Sequence, residues 1–176
     1  MYAGTFPANI EKLILIEGGA AISGPAEDFA QLFQQYLQAR SDILSKPEKL
    51  YADRDAMIDK MLERPFSAEA ADCLLNESMI ASPDGGHFSF SHDRLLRAPG
   101  PVRMTEEQVL SFHRRIECPT LLVTAADGWP FPEGFYQRWT EAIKGPLERC
   151  VVPGRHHVHL DSPEVVAPYV SSFISK

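Results

Sequence analysis

The chain of 176 residues has few cysteines and no long apolar run. Its three cysteines, Cys73, Cys118 and Cys150, are odd in number and irregularly spaced, which argues against a disulfide framework and a zinc motif. No apolar stretch approaches the roughly 20 residues that a membrane-spanning helix needs, and no secretory signal precedes the first elements. We therefore expect reduced thiols, no membrane partner and a cytoplasmic protein. The C-terminal residues 174–176 stop one residue short of a peroxisomal tripeptide, which keeps the peroxisome as an alternative.

Basic residues are also scarce. The sequence has 17 Lys and Arg against 24 Asp and Glu, which gives a net charge of -7. It contains no basic run with interleaved aromatic residues. Because binding to nucleic acid depends on clustered Lys and Arg that neutralise phosphates, we expect no nucleic acid partner.

Three short segments are predicted to be strands. They cover residues 13–16, 118–124 and 147–152, and the first is continuously apolar rather than alternating. Strands that are buried on both faces of a parallel sheet have this composition. Segments with helical spacing separate the runs, and we predict helices within 26–63, over 67–80, from 105, over 134–143 and from 162 onward. The alternation predicts an α/β fold with three parallel strands and flanking helices.

Ionisable side chains follow each predicted strand. Glu17 comes after the first strand, Asp127 after the second and His156 after the third. The carboxyl ends of parallel strands meet at one edge of a sheet, where functional groups collect. An acid that orients a histidine is the acid–base half of a hydrolytic triad, because the carboxylate fixes the imidazole tautomer and stabilises the imidazolium.

These segments resemble the α/β-hydrolases. The run from Cys118 to Val123 with Asp127-Gly128 is similar to their strand and acid loop, and the run from Val151 to Glu164 is similar to their histidine loop. The first 17 residues resemble the end of the helix after the nucleophile elbow and the strand that follows it. The Val-Pro-Gly-x-His-x-Val-His pattern of residues 152–159 is closest to the serine hydrolase-like proteins.

The resemblance implies an organisation and a set of roles. Residues 1–22 would be the end of the elbow helix and the next strand, 23–101 a helical cap insertion, and 102–176 the strand–helix units with the acid and histidine loops. His156 would be the general base and Asp127 the acid that orients it, with Glu17 as the alternative acid. The substrate would be a small molecule with a hydrolysable bond, and no cofactor would be needed.

Each assignment has a plainer alternative. Asp127 could be the aspartate of an ordinary Asp-Gly turn, and Glu17 a structural acid beside two glycines. His156, His157 and His159 could bind a metal ion. We favour the general base because the spacing of the histidines is not that of a metal motif, and adjacent residues in a loop point their side chains apart.

The nucleophile of the family is absent. No Gly-x-Ser-x-Gly occurs in the sequence, and Ser23 lacks both the preceding glycine and the strand–turn–helix context. We expect the elbow to lie upstream of Met1, and the chain alone to be inactive. One rival hypothesis is a non-catalytic fragment or interaction module that self-associates through its first strand. A weaker one is an epoxide hydrolase or haloalkane dehalogenase with an aspartate nucleophile.

Overall fold

The structure, a computed structural model, describes residues 1–64, 66–83, 85–132 and 134–176. It divides the chain into two compact units. The first unit combines Met1–Ala26 with Met104–Lys176, and the second is the continuous segment Glu27–Arg103. The interpretation of the second unit as a cap stays a prediction.

The elements follow one another in an order typical of α/β proteins. In chain order they are α1 (Tyr2–Thr5), β1 (Leu13–Ile16), α2 (Phe29–Ser45), α3 (Arg54–Leu62), α4 (Ala68–Ser78), β2 (Met79–Ala81), β3 (Phe88–Phe90), α5 (Glu106–His113), β4 (Thr120–Asp127), α6 (Phe135–Thr140), β5 (Leu147–Arg155), α7 (Val158–Asp161) and α8 (Pro163–Ser175). Short 3-10 turns cover Pro7–Asn9, Ala26–Asp28 and Arg94–Arg97. None of the helices in the described part of the chain has the length and apolar character needed to cross a bilayer.

The first unit contains the predicted parallel sheet. Its strand order is β1-β4-β5, and both pairings are parallel. The β1–β4 register runs from Leu13 opposite Thr120 to Ile16 opposite Val123. The prediction of three parallel strands with flanking helices is confirmed, and β1 forms one edge of this sheet among the described residues.

The position of β4 at the centre of the sheet accounts for its apolar composition. Residues 120–125 are all buried, because β4 has a strand on each side and helices over both faces. Leu121 and Val123 pack on one face with Phe173 of α8. Leu122 packs on the opposite face with Trp139 of α6. A strand that is buried on both faces needs apolar residues at successive positions rather than at alternate ones.

The third strand is longer than predicted. The sequence predicts a turn at Pro153-Gly154, but β5 continues through both residues to Arg155. The β4–β5 register shifts between Ala125 and Asp127, so that Asp127 lies opposite Arg155. Proline is tolerated here because an edge strand or an irregular register does not need its missing N–H. The predicted turn is therefore wrong.

The second unit has its own small core. Met57 of α3, Leu75 of α4 and Tyr51 form a buried cluster, and β2 pairs antiparallel with β3. The predicted start of α4 is confirmed, since the Ser67 side chain accepts a hydrogen bond from the Ala70 N–H at 3.0 Å. The helix ends at Ser78, slightly before the predicted position, because the next residues join the β2–β3 pair.

Candidate functional site

Glu17 lies directly after β1 in a strained backbone conformation. Its φ is 50°, the only positive value at a non-glycine position among the described residues. Its N–H donates to the carbonyl oxygen of Val123 at 2.9 Å, which ties it to β4. The residue is only 5% exposed. A buried carboxylate in a strained backbone requires compensating interactions, and strain of this kind is concentrated at functional sites.

The end of β4 and the loop after it contact the Glu17 carboxylate. The Ala125 N–H donates to Oε1 at 2.5 Å, and the Trp129 N–H donates to Oε2 at 3.1 Å. A Cβ at Gly128 would overlap both carboxylate oxygens. The loop therefore needs glycine at this position, because the carboxylate occupies the space of a side chain.

His156 completes the cluster. It follows β5, and its Nδ1 lies 3.1 Å from Oε2 of Glu17. Because a carboxylate accepts, the imidazole donates from Nδ1–H, and its Nε2 carries the lone pair. No hydrogen bond to Nε2 occurs within the described part of the chain. The His156 side chain is 30% exposed while that of Glu17 is 2% exposed, so the acid is shielded and the base can be reached.

The structure does not bring Asp127 to His156. Asp127 is exposed, and across the described residues it forms no hydrogen bond or ion pair with the histidine. The expected contact between Asp127 and His156 is not seen among the described residues, and the carboxylate bonded to His156 is that of the alternative acid, Glu17. The physical reason is the loop, which directs the N–H groups of Ala125 and Trp129 toward Glu17 while Asp127 lies opposite Arg155.

Two aromatic rings, those of Trp129 and His157, lie beside the imidazole of His156. Its ring centroid lies 5.4 Å from that of Trp129 and 4.8 Å from that of His157. The rings of His157 and His159 are 6.2 Å apart. No group of three or more His, Cys, Asp or Glu side chains in the described ranges is placed to hold a metal ion.

The negative charge of Glu17 affects the pKa of Tyr136 on α6. The pKa of the Tyr136 phenol is raised by its burial and by the negative charge of Glu17, while Arg149 opposes the shift. The Arg149 guanidinium lies 5.2 Å from the centre of the Tyr136 ring. The phenol of Tyr136 therefore stays protonated.

A buried histidine, His113, supports the loop that follows Glu17. His113 Nε2 lies 3.0 Å from the carbonyl oxygen of Gly19, and the His113 ring stacks on Trp139 with centroids 5.2 Å apart. Burial lowers the pKa of His113. A Cβ at Gly19 would overlap the Trp139 ring, and the φ of Gly19 is +155°. The two rings thus hold the backbone two residues after Glu17.

Sequence reasoning missed Gly128, Trp129 and His113. In the Asp127-Gly128 pair the sequence points to the aspartate as the site residue, whereas the glycine is the residue that packs against the Glu17 carboxylate. Trp129 contributes a backbone N–H, which has no signature in a sequence. The isolated His113 gives no signal either, since its partner is a backbone carbonyl from a distant segment.

Comparisons with known proteins give relatives over the whole chain, although no family model matches it. A Drosophila melanogaster protein named "Probable serine hydrolase" is 28% identical over 189 residues, which cover 100% of this chain and 56% of that protein. The chain therefore spans about half the length of this relative.

Solved structures agree with this result. A hypothetical protein of Pseudomonas aeruginosa is 31% identical with a TM-score of 0.87, over 99% of this chain and 62% of that one. The thioesterase domain from the curacin biosynthetic pathway is 18% identical with a TM-score of 0.76, over 97% of this chain and 61% of that one, a likeness of fold alone. Its parallel sheet and these comparisons show that the chain has the fold of the α/β-hydrolases, and its sequence is similar to that of proteins named serine hydrolase or serine hydrolase-like protein.

Proposed function

We propose that this chain supplies the acid–base pair of a hydrolase that cleaves an ester or similar acyl bond of a small molecule with a serine nucleophile. One observation carries the proposal: Nδ1 of His156 is hydrogen-bonded to the buried carboxylate of Glu17, while its Nε2 is left without a partner in the described chain. The names of the relatives support hydrolysis as the reaction class.

In this mechanism Nε2 of His156 takes the proton of the serine hydroxyl as the serine oxygen attacks the acyl carbon. Glu17 stabilises the resulting imidazolium through its hydrogen bond to Nδ1. The imidazolium then returns its proton to the leaving alcohol as the ester bond breaks. In the second half of the cycle a water molecule loses a proton to Nε2 as its oxygen bonds to the acyl carbon. The bond between that carbon and the serine oxygen then breaks, the acid leaves, and the imidazolium returns its proton to the serine oxygen.

Glu17 is better placed than Asp127 to be the orienting acid. Its carboxylate is fixed by the N–H groups of Ala125 and Trp129, so little reorganisation is needed when the histidine becomes charged. Asp127 is exposed and makes no contact with the imidazole. We therefore assign the orienting role to Glu17 and propose no catalytic role for Asp127.

An aspartate nucleophile is a second candidate. In an epoxide hydrolase or haloalkane dehalogenase reaction, the same pair would activate the water that releases the covalent intermediate. The residue at the centre of the nucleophile elbow separates the two reactions, and the 176 residues contain no Gly-x-Ser-x-Gly.

A non-catalytic module is a third candidate, from a different class. Two observations support this candidate: the 176 residues contain no Gly-x-Ser-x-Gly, and β1 lies at an edge of the described sheet. The buried Glu17–His156 pair argues against it, because burying a carboxylate is costly and an interaction module gains nothing from an oriented imidazole.

The test uses the chain preceded by the residues encoded directly upstream of it, with p-nitrophenyl acetate as substrate. We expect His156→Ala and Glu17→Gln to lower kcat by about 10³–10⁴-fold, the scale of a lost base or a wrong tautomer. Asp127→Asn is the matched control and should change kcat by less than about threefold. Unchanged turnover in His156→Ala would overturn the proposal, and turnover lost in Asp127→Asn alone would overturn the assignment of the acid.

A further inference from the structure

The second unit contains a cavity of about 610 Å³ between α3, α4 and β3. This volume lies within the range of small-molecule sites. Its inner wall is apolar and consists of Tyr51, Met61, Leu74 and Phe90, which are buried or half-buried. The cavity is therefore suited to an apolar body of modest size.

Four cationic side chains line the same cavity. They are Lys49, Lys60, Arg64 and Arg97, and no Asp or Glu accompanies them among the described lining residues. The chain as a whole has a net charge of -7. A lining of one sign with the charge opposite to that of the protein favours an anionic ligand, because low-dielectric walls focus the field inside a cleft.

Two of these cations are free to bind a ligand. Lys60 is already paired with Glu63, and the ammonium of Lys49 lies 4.9 Å from the centre of the Tyr51 ring. Arg64 and Arg97 are exposed and have no carboxylate partner in the part of the chain that the structure describes. A guanidinium without a partner presents paired N–H donors that match two oxygens of one anionic group.

We propose that this cavity binds a small organic anion, with an aliphatic or aromatic body against the apolar wall and an oxyanion group held by Arg64 and Arg97. Carboxylates and phosphate monoesters share the required chemistry. The body provides burial of apolar surface, and the arginines provide selection for charge. This site goes beyond the proposed hydrolase activity and does not depend on His156.

The binding test uses isothermal titration calorimetry on the 176-residue chain at low salt. The probes are 4-phenylbutyrate, its neutral analogue 4-phenylbutyramide, phenyl phosphate and inorganic phosphate. We expect both organic anions to bind at least tenfold more tightly than the neutral amide, and phenyl phosphate more tightly than inorganic phosphate. Equal binding of the amide would overturn the role of charge, and equal binding of inorganic phosphate would overturn the role of the apolar wall.

Matched variants locate the site. Arg64→Gln and Arg97→Gln should each weaken binding of 4-phenylbutyrate at least fivefold, whereas Arg40→Gln, an exposed arginine of α2 outside the cavity, should change it less than twofold. Methyl NMR of the unmodified chain guards against misfolded variants, since shifts on titration should concentrate at Met61 and Leu74. Shifts elsewhere, no detectable binding, or equal effects of the three variants would overturn the proposal.

Discussion

Nδ1 of His156 lies 3.1 Å from Oε2 of Glu17, although the two residues are 139 positions apart in sequence and follow strands that are not neighbours. β4 lies between β1 and β5, so the Glu17 side chain must reach across the end of β4. The end of β4 and the loop after it permit this, because Ala125 and Trp129 each donate an N–H group to the carboxylate and position 128 is glycine. The acid–histidine pair therefore depends on all three strands: β1 and β5 position the two residues, and β4 with its loop holds the carboxylate between them.

The isolated chain should not hydrolyse p-nitrophenyl esters above the buffer rate. His156 has no activated hydroxyl to deprotonate, because the sequence contains no Gly-x-Ser-x-Gly. Steady-state absorbance at micromolar protein measures the rate, with His156→Ala as the control. Turnover that disappears in His156→Ala would show a nucleophile within these 176 residues and contradict the account.

Gly128→Ala should destabilise the chain by about 1–3 kcal/mol, the usual cost of overpacking. A methyl group at this position would overlap both Glu17 oxygens and displace the carboxylate from its N–H donors. Gly18→Ala is the matched control, because the nearest atom to its added Cβ is 3.8 Å away. Urea unfolding measures both variants, and equal losses of stability would contradict the role given to Gly128.

The strands could be predicted from the sequence because a strand that is buried on both faces carries apolar residues at successive positions. Leu13–Ile16 is bounded as the apolar run indicates, and β4 (Thr120–Asp127) overlaps the predicted segment 118–124 but begins and ends later. The extension of β5 through Pro153-Gly154 could not be predicted, since it depends on pairing with β4 across a register shift. Local turn preference was overridden by tertiary pairing.

The site was predictable in its residue types and strand ends, but not in its pairing. Glu17 and His156 follow strands and Asp127 ends one, so the sequence leaves two acids for one histidine. Which acid bonds to His156 is decided by the backbone N–H groups of Ala125 and Trp129 and by the space at Gly128. A single sequence shows none of these features.

Acid should destabilise the chain partly through His113. Its pKa in the folded state is lowered by burial, so below the ordinary value of 6.5 the unfolded chain takes up a proton that the folded chain does not. The contribution of the neutral imidazole is therefore complete above that value and is lost as the pH falls from it through the lower pKa of the folded state. Unfolding free energies measured from pH 7.5 to 5.5 should fall more steeply for the unmodified chain than for His113→Gln. Parallel slopes would contradict the assignment.

The β1 edge should make the isolated chain self-associate. Leu13–Ile16 pairs with β4 on one side, and the N–H and C=O groups on its other side need water or another chain. Light scattering should show dimers or larger species that grow with concentration, and hydrogen exchange at residues 13–16 should slow as they form. A monomer at all concentrations with strongly protected amides at 13–16 would contradict this prediction.

The most direct test of the central claim is the tautomer of His156, read from its ring ¹⁵N shifts by NMR near pH 8. The account predicts a proton on Nδ1 in the unmodified chain and in Asp127→Asn. In Glu17→Gln the proton should move toward Nε2, because an amide cannot accept from His156, Ala125 and Trp129 together. A tautomer that changes in Asp127→Asn and stays fixed in Glu17→Gln would contradict the pairing of Glu17 with His156.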